Sequence, residues 1–166
     1  MTAALPEVGS TMFTFANLTG NETLTGALSR LGQGGCAVER IPIILVVEDD
    51  PLIQSIVEET LADGGFEIVI VSSGENAIDL LDVQKVHYRA VVTDINLGRD
   101  KIDGWDIARR AREIDAGFPV VYMTGASADD WVSKGVPNSI LLTRPFAPAQ
   151  LLTAVSQLLN AGSSTA

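Results

Sequence analysis

Five short apolar segments, rich in β-branched residues, recur after residue 40 and alternate with segments of amphipathic character. Runs of this length and composition predict buried strands, and apolar residues at helical spacing between them predict helices. The alternation predicts five βα units, which right-handed crossovers wind into a parallel sheet with helices on both faces. The predicted strands are Ile43–Val47, Glu67–Val71, Tyr88–Asp94, Pro119–Met123 and Ile140–Thr143.

Prolines and glycines mark the limits of the predicted helices. Pro51 opens the first helix, because its missing N–H is no loss there, and Asp50 is placed to cap it. Gly64 ends this helix, and Pro148 opens the last one. Between the fourth and fifth strands, residues 127–134 leave room for a short helix only.

The first 40 residues differ from the rest in composition, being rich in Thr, Gly, Ala, Ser and Asn. We interpret residues 1–40 as an N-terminal arm or linker. Residues 23–31 could form a short amphipathic helix within it, and the alternative is that this helix docks on the domain or on a second subunit. Residues 41–161 then form one α/β domain, and residues 162–166 a polar tail.

Charge and composition exclude several classes of partner. The formal net charge of −10, from 11 basic and 21 acidic residues, repels nucleic acid, and no basic stripe is present. No apolar run approaches the roughly 20 residues of a membrane span, so no membrane partner is expected. A lone cysteine, Cys36, and an N-terminus without a signal-peptide pattern indicate a cytoplasmic protein.

Polar side chains follow four of the five predicted strands. Glu48 and Asp49 follow the first strand, Asp94 ends the third, Thr124 follows the fourth and Arg144 follows the fifth. In an open parallel sheet, ligands bind outside the carboxyl ends of the strands. We therefore expect acids, a hydroxyl group and a cation to converge on one edge of the sheet.

This set of groups predicts a specific chemistry. Crowded carboxylates repel one another unless a cation intervenes, and a few hard oxygen ligands suit Mg²⁺. A carboxylate beside such a metal, here Asp94, can attack a phosphoryl group to form an acyl phosphate. Thr124 can donate one hydrogen bond to the phosphoryl oxygens, and Arg144 can donate two in a fork.

Four motifs, in this order and spacing, resemble the signature positions of a response-regulator receiver domain. The resemblance spans about residues 41–161 and implies a flavodoxin-like sheet with strand order 2-1-3-4-5. It also implies a two-component signalling role in which a histidine kinase or phosphotransfer protein donates the phosphoryl group. The motifs are Val46–Pro51, Val92–Asp94, Met123–Gly125 and Arg144–Phe146.

The resemblance further implies a role for individual residues. Asp94 would be the phosphoacceptor, and Glu48, Asp49 and Asp94 the acids that bind Mg²⁺, joined by the backbone carbonyl of Asn96. Thr124 would be the hydroxyl that follows the phosphoryl group. The remaining implied positions are Gly125 and Arg144 for phosphoryl binding and Pro145 for a cis peptide bond.

Four departures from the family pattern concern the output half of the domain. The basic residue is Arg144 where the family has lysine, and Leu141 stands where the family has an aromatic switch residue. The loop after Asp94 is about two residues longer than usual and has Gly98 where proline is common. The segment between Thr124 and Arg144 is about two residues shorter, which predicts a shortened fourth helix.

We therefore expect a stand-alone receiver with only self-phosphorylation and autodephosphorylation chemistry, not an enzyme acting on other substrates. Without an effector domain in the sequence, its output would run through an unidentified partner protein, a homodimer or phosphate transfer. One alternative is an interaction module that works without phosphorylation, which Leu141 and the altered fourth helix would support. The other is an aspartate-nucleophile phosphohydrolase, but Asn96 stands where that class typically has its second acid.

Overall fold

The structure, a computed structural model, describes residues 40–83, 85–98 and 101–162. The predicted arm, apart from Arg40, and the predicted tail, apart from Gly162, lie outside the described residues. Five strands alternate with five helices, as the hydrophobic pattern predicts. In chain order they are β1 (Ile43–Val47), α1 (Pro51–Asp63), β2 (Glu67–Val71), α2 (Gly74–Val83), β3 (Tyr88–Asp94), α3 (Gly104–Ile114), β4 (Val120–Thr124), α4 (Trp131–Lys134), β5 (Ile140–Thr143) and α5 (Pro148–Gly162).

All strand pairs are parallel, and the sheet order is β2-β1-β3-β4-β5. The predicted α/β fold with flavodoxin-like strand order is therefore confirmed. The register aligns the carboxyl ends of the central strands: Val47 pairs with Thr93, Asp94 with Met123, and Thr124 with Thr143. Residues at or just after these ends consequently meet at one edge of the sheet.

The sheet divides the core into two layers, because successive side chains of a strand point to opposite faces. Leu45 and Val47 of β1 pack in the layer that includes residues of α2 and α3. Ile44 and Val46 pack in the layer that includes residues of α1 and α5. All four side chains are fully buried. A strand buried on both faces reads as a continuous apolar run, which is why β1 lacks an alternating pattern.

Capping hydrogen bonds stabilise the first turns of α1 and α3, which begin near the carboxyl ends of β1 and β3. Asp50 accepts a hydrogen bond from the backbone N–H of Leu52 at 2.8 Å, and Pro51 is the first residue of α1, as predicted. At the start of α3, the Asp103 side chain accepts from Asp106 N, and the Asp106 side chain accepts from Asp103 N. This reciprocal capping box satisfies two backbone donors at the end of the long loop after β3.

The fourth helix is short, as its segment length predicts. A 3₁₀ turn over Ala128–Asp130 runs into α4, which has four residues. Trp131 at its start donates from Nε1 to Ser139 Oγ at 3.1 Å, so α4 is tied to the segment that precedes β5. The next residue, Val132, is 88% exposed. Among the described residues, no helix is both long and apolar enough to cross a membrane.

Candidate functional site: an acidic pocket at the carboxyl edge of the sheet

The predicted convergence of polar residues at one edge is present. Glu48 follows β1, Asp94 ends β3, Thr124 ends β4 and Arg144 follows β5. Glu48 and Thr124 are fully buried, and Asp94 is 3% exposed. The β4 and β5 ends are joined by the Arg144 N–H, which donates to the Thr124 carbonyl at 2.7 Å. These side chains therefore lie at, or directly after, the carboxyl ends of four strands of the sheet.

Three carboxylates form a compact acidic cluster, which we define as Glu48, Asp49 and Asp94. One carboxylate oxygen from each residue lies within 4.8 Å of the others. Asp49 is exposed, in contrast to Glu48 and Asp94. Glu48 Oε1 accepts from the backbone N–H of Asp50 at 3.1 Å, and Asp94 Oδ1 accepts from that of Asn96 at 3.3 Å. The two buried carboxylates are thus oriented by their own neighbouring backbone.

The Arg144 guanidinium joins two members of this cluster. Its Nη1 donates to Glu48 Oε2 at 3.1 Å, and its Nη2 donates to Asp94 Oδ2 at 2.7 Å. The Arg144 side chain is 23% exposed, whereas both carboxylates are almost completely buried. From the end of β5, the side chain therefore crosses over β4 to reach acids that belong to β3 and β1.

Burial changes the ionisation of these groups. Burial raises the pKa of Glu48 to about 7, although the hydrogen bond from the Asp50 backbone lowers it. The negative charges of Asp94 and Asp49 raise it further, and Arg144 opposes them. For Arg144, burial alone would lower the pKa, but the hydrogen bond to Asp94 and the charges of the cluster give a net rise. The guanidinium is consequently always charged, whereas Glu48 can exchange a proton near neutrality.

Two glycines allow the long loop after β3 to lie close to the acids. Gly98 has a φ of +52°, and a Cβ there would stand 2.8 Å from Asp49 Oδ2. Its N–H donates to the Asn96 carbonyl at 3.1 Å, the carbonyl assigned to the metal by resemblance. At the far end of the loop, a Cβ on Gly104 would stand 2.3 Å from the Asp94 carbonyl oxygen. Larger residues at these positions would displace the acids or the backbone that carries them.

The Thr124 hydroxyl anchors the loop that follows β4. Its oxygen accepts hydrogen bonds from the backbone N–H groups of Ala126, at 3.1 Å, and Ser127, at 2.8 Å. The Ser127 hydroxyl in turn lies 3.1 Å from Asn96 Nδ2, which donates to it. From the sequence, the Asn96 side chain was assigned no contact, and Ser127 was missed. The only sequence signal for Ser127 is its position three residues after Thr124, where a hydroxyl side chain is common in turns.

The other predicted positions lie around this edge in different environments. Gly125 is exposed, and apart from its two chain neighbours no described residue has an atom within 4 Å of where its Cβ would be. The Arg144–Pro145 peptide bond is cis. Leu141 is half-buried, pairs with Tyr122 of β4 and packs against the core layer of α2 and α3. It therefore lies beside the site and contributes no polar group to it.

The acidic cluster has the donor chemistry of a Mg²⁺ site. An octahedral Mg²⁺ shell is about 4 Å across and keeps several water ligands, so a few carboxylates at this spacing suffice. Glu48, Asp49 and Asp94 are the only group of three or more such residues found in the described part of the chain. Among these three, Asp49 is the exposed carboxylate, and it has no hydrogen-bond donor from the described residues.

Comparison with known proteins gives one consistent family. The sequence model of the response regulator receiver domain matches residues 44–156. The chain is 32% identical over 123 residues to the probable transcriptional regulatory protein SilR of Salmonella typhimurium, covering 73% of this chain and 52% of that protein. It is 29% identical over 123 residues, with the same coverages, to the transcriptional regulatory protein CusR of Escherichia coli K12. The chain spans about half the length of these curated relatives.

Solved structures agree with the sequence comparison. A response regulator receiver protein from Sinorhizobium medicae WSM419 is 48% identical, has a TM-score of 0.71 and covers 74% of this chain and 97% of its own. The receiver domain of the sensor histidine kinase PA1611 from Pseudomonas aeruginosa, which holds a magnesium ion in its active-site cleft, shares the fold at 23% identity and a TM-score of 0.62, with 73% and 99% covered. The chain thus belongs to the response regulator receiver domain family of two-component signalling.

Proposed function

We propose that this receiver takes a phosphoryl group onto Asp94 from a histidine kinase or a phosphotransfer protein and signals by protein contact. The observation that carries the proposal is the juxtaposition of the buried Asp94 carboxylate with two further acids, a hydroxyl group and a guanidinium. Family members of this kind are signalling regulators, and the phosphoacceptor role is typical of them.

The acids divide the chemistry between them. An Asp94 carboxylate oxygen attacks phosphorus, the new O–P bond forms, and the bond from phosphorus to the donor's imidazole breaks. Glu48 and Asp49, with the carbonyl of Asn96, would hold Mg²⁺ beside this carboxylate. When bound, Mg²⁺ offsets the negative charge of the transferring group, which otherwise repels three acids. The backbone N–H of Asn96 orients Asp94 from Oδ1.

The phosphorylated state would be recognised by Thr124, Gly125 and Arg144. The Thr124 hydroxyl oxygen accepts from two backbone N–H groups and donates to no acceptor among the described residues, so its hydrogen is available for a phosphoryl oxygen. If this hydroxyl rotates toward a phosphoryl oxygen, the loop at Ala126 and Ser127 would shift, because their backbone N–H groups donate to the same oxygen. That coupling supports an output surface near the loop and the short α4, and Leu141 would pack there without the polar tip of an aromatic switch.

Two alternatives make different predictions. A phosphohydrolase needs an acid two residues after its nucleophile, and here Asn96 donates its amide to Ser127 instead. This contact supports the proposal that the chain is not an enzyme on other substrates. A phosphorylation-independent interaction module is favoured only by the four-residue α4 and by Leu141. It would bind its partner equally well when Asp94 cannot be modified.

The remaining assignments follow from the same reasoning. We propose residues 41–161 as the receiver domain, residues 1–40 as an arm or linker, and residues 162–166 as a tail. Output would pass to a protein partner that recognises the phosphorylated face, or through a homodimer. A cytoplasmic location fits a kinase or phosphotransfer donor, and the net charge of −10 argues against nucleic acid as a partner of this chain.

The test is phosphorylation by acetyl phosphate in the presence and absence of Mg²⁺, followed by intact-mass measurement. We expect wild type to gain one base-labile phosphoryl group only with Mg²⁺, and Asp94→Asn to gain none. Asp115→Asn, which changes an exposed aspartate elsewhere, is the matched control and should behave as wild type. Modification of Asp94→Asn, or turnover of a general phosphate ester by wild type, would contradict the proposal.

A further inference from the structure

We propose that Arg144 is a built-in counter-cation of the resting site, which competes with Mg²⁺ for Glu48 and Asp94. This rests on the proposed function, because it concerns the same metal site. The guanidinium contacts two different carboxylates at 3.1 and 2.7 Å, so one side chain neutralises part of the charge of both. Arg144 would then govern metal affinity before any phosphoryl group arrives.

All four oxygens of the two buried carboxylates have a donor within the chain. Glu48 Oε1 and Asp94 Oδ1 accept from backbone N–H groups, which are fixed by the strand ends. Glu48 Oε2 and Asp94 Oδ2 accept from Arg144. The backbone donors adjoin the acids in the chain, whereas Arg144 reaches both from the end of β5, so Arg144 is the donor that competes with an incoming cation for Glu48 Oε2 and Asp94 Oδ2.

The shape of the side chain matters as well as its charge. A guanidinium is a planar fork that can serve two carboxylates at once, whereas an ammonium is a compact point charge. The ion pairs are formed with carboxylates that are 0% and 4% exposed, so solvent screens them weakly. Two charge-assisted contacts must therefore be lost or shared when a divalent cation enters.

Release of the Arg144 guanidinium from the two carboxylates would also make it available to bind the phosphoryl group. Asp49 is exposed and accepts no hydrogen bond from the described residues, so a cation can meet it while Arg144 is still in place. As the cation moves onto Glu48 and Asp94, the guanidinium becomes free above the same edge. It is then positioned to donate to the phosphoryl oxygens, the role proposed for it above. Metal entry and presentation of the phosphoryl-binding cation would be one linked event.

The experiment is a calorimetric titration of the full chain with MgCl₂ and no phosphoryl donor. We compare wild type, Arg144→Ala, Arg144→Lys and Arg89→Ala. Arg89 is exposed near the opposite end of β3, roughly 17 Å from Asp94 at about 3.3 Å per residue, so its removal controls for the loss of one positive charge. Circular dichroism of each variant verifies that the fold is retained.

We expect Arg144→Ala to bind Mg²⁺ at least about tenfold more tightly than wild type, Arg144→Lys to lie between them, and Arg89→Ala to match wild type. Equal or weaker binding by Arg144→Ala would overturn the proposal. So would an Arg144→Lys affinity equal to that of wild type, because it would show that charge alone acts and that the fork does not bridge two carboxylates. If Arg144→Ala does not fold, the Arg144→Lys comparison decides.

Failure of this inference can be told apart from failure of the proposed function. If Asp49→Ala abolishes Mg²⁺ binding and wild type is phosphorylated on Asp94, the proposed function stands whatever the Arg144 variants show. If wild type and Arg144→Ala both bind no Mg²⁺, the metal site and this inference are both wrong. If only Arg144→Ala binds the ion, the competition proposed for Arg144 is supported, but the Mg²⁺-dependent phosphorylation proposed for wild type is contradicted.

Discussion

Removal of the Glu48 charge should change how the stability of the metal-free protein depends on pH. Glu48 is fully buried, and burial raises its pKa from 4.5 to about 7. The folded protein therefore binds a proton more tightly at this position than the unfolded chain does. Stability supplied by the protonated form is fully present below about pH 4.5 and is lost as the pH rises through about 7. Glu48→Gln keeps the shape and removes this titration.

The size of the effect follows from the interval between the two pKa values. Each pKa unit corresponds to about 1.4 kcal/mol, so the interval from 4.5 to about 7 amounts to about 3 kcal/mol. We expect the unfolding free energy of wild type to fall by about this amount relative to Glu48→Gln between about pH 4.5 and about pH 8. For a small domain this is a large part of the total stability.

The assay is urea unfolding in EDTA at several pH values, followed by circular dichroism. Glu67→Gln, which removes an exposed carboxylate from the start of β2, is the control for the loss of one acid. A constant difference between wild type and Glu48→Gln across the pH range would refute the reasoning. Saturating Mg²⁺ should abolish the fall, because a metal ligand must be ionised at every pH tested.

Four further predictions test other parts of the molecule. Asp49→Ala should weaken Mg²⁺ binding and stabilise the metal-free protein by relieving repulsion, seen as a higher Tm in EDTA and a smaller rise with Mg²⁺; an undiminished rise would contradict this. Gly98→Ala should lower the unfolding free energy by about 1 kcal/mol, because φ is +52° there, and should weaken Mg²⁺ binding through Asp49; unchanged urea unfolding would argue against it. A chain that begins at Glu39 should fold and accept phosphate on Asp94, and loss of the circular dichroism signal would show that the arm is needed. A phosphoryl mimic should change hydrogen exchange in residues 125–130, and changes confined to α1 would contradict the proposed coupling.

The fold was largely predictable because its signals are local. Apolar runs identified all five strands, and Asp50 and Pro51 marked the start of α1 within the residue. The fourth strand was displaced by one residue, since Thr124 joins β4 and Pro119 does not. A hydroxyl residue at a strand end gives no apolar signal, so its inclusion depends on pairing with Thr143 in the neighbouring strand.

The convergence of the site residues at one edge was predictable, but their exposure and contacts were not. Parallel strand ends must meet, so the acids, Thr124 and Arg144 could be assigned to one edge from their order alone. The exposure of each side chain could not be predicted from the sequence. Glu48 and Asp49 are adjacent in the chain, yet Glu48 is buried and Asp49 is exposed. The partners of Arg144 depend on the side chain crossing a neighbouring strand, and the contact between Asn96 and Ser127 joins residues 31 positions apart. Only the assembled sheet determines such contacts.

The two glycines that bound the loop after β3 make it a natural site for a reporter group. Gly98 lies against Asp49 at one end, and Gly104 lies against the Asp94 carbonyl at the other. Lys101, which is exposed, is one of the described residues between these two anchors. With Cys36 replaced by serine, a cysteine at Lys101 would be the only thiol. A fluorophore attached there would sit in the loop whose two ends lie against Asp49 and Asp94. Its emission could then follow metal entry in real time.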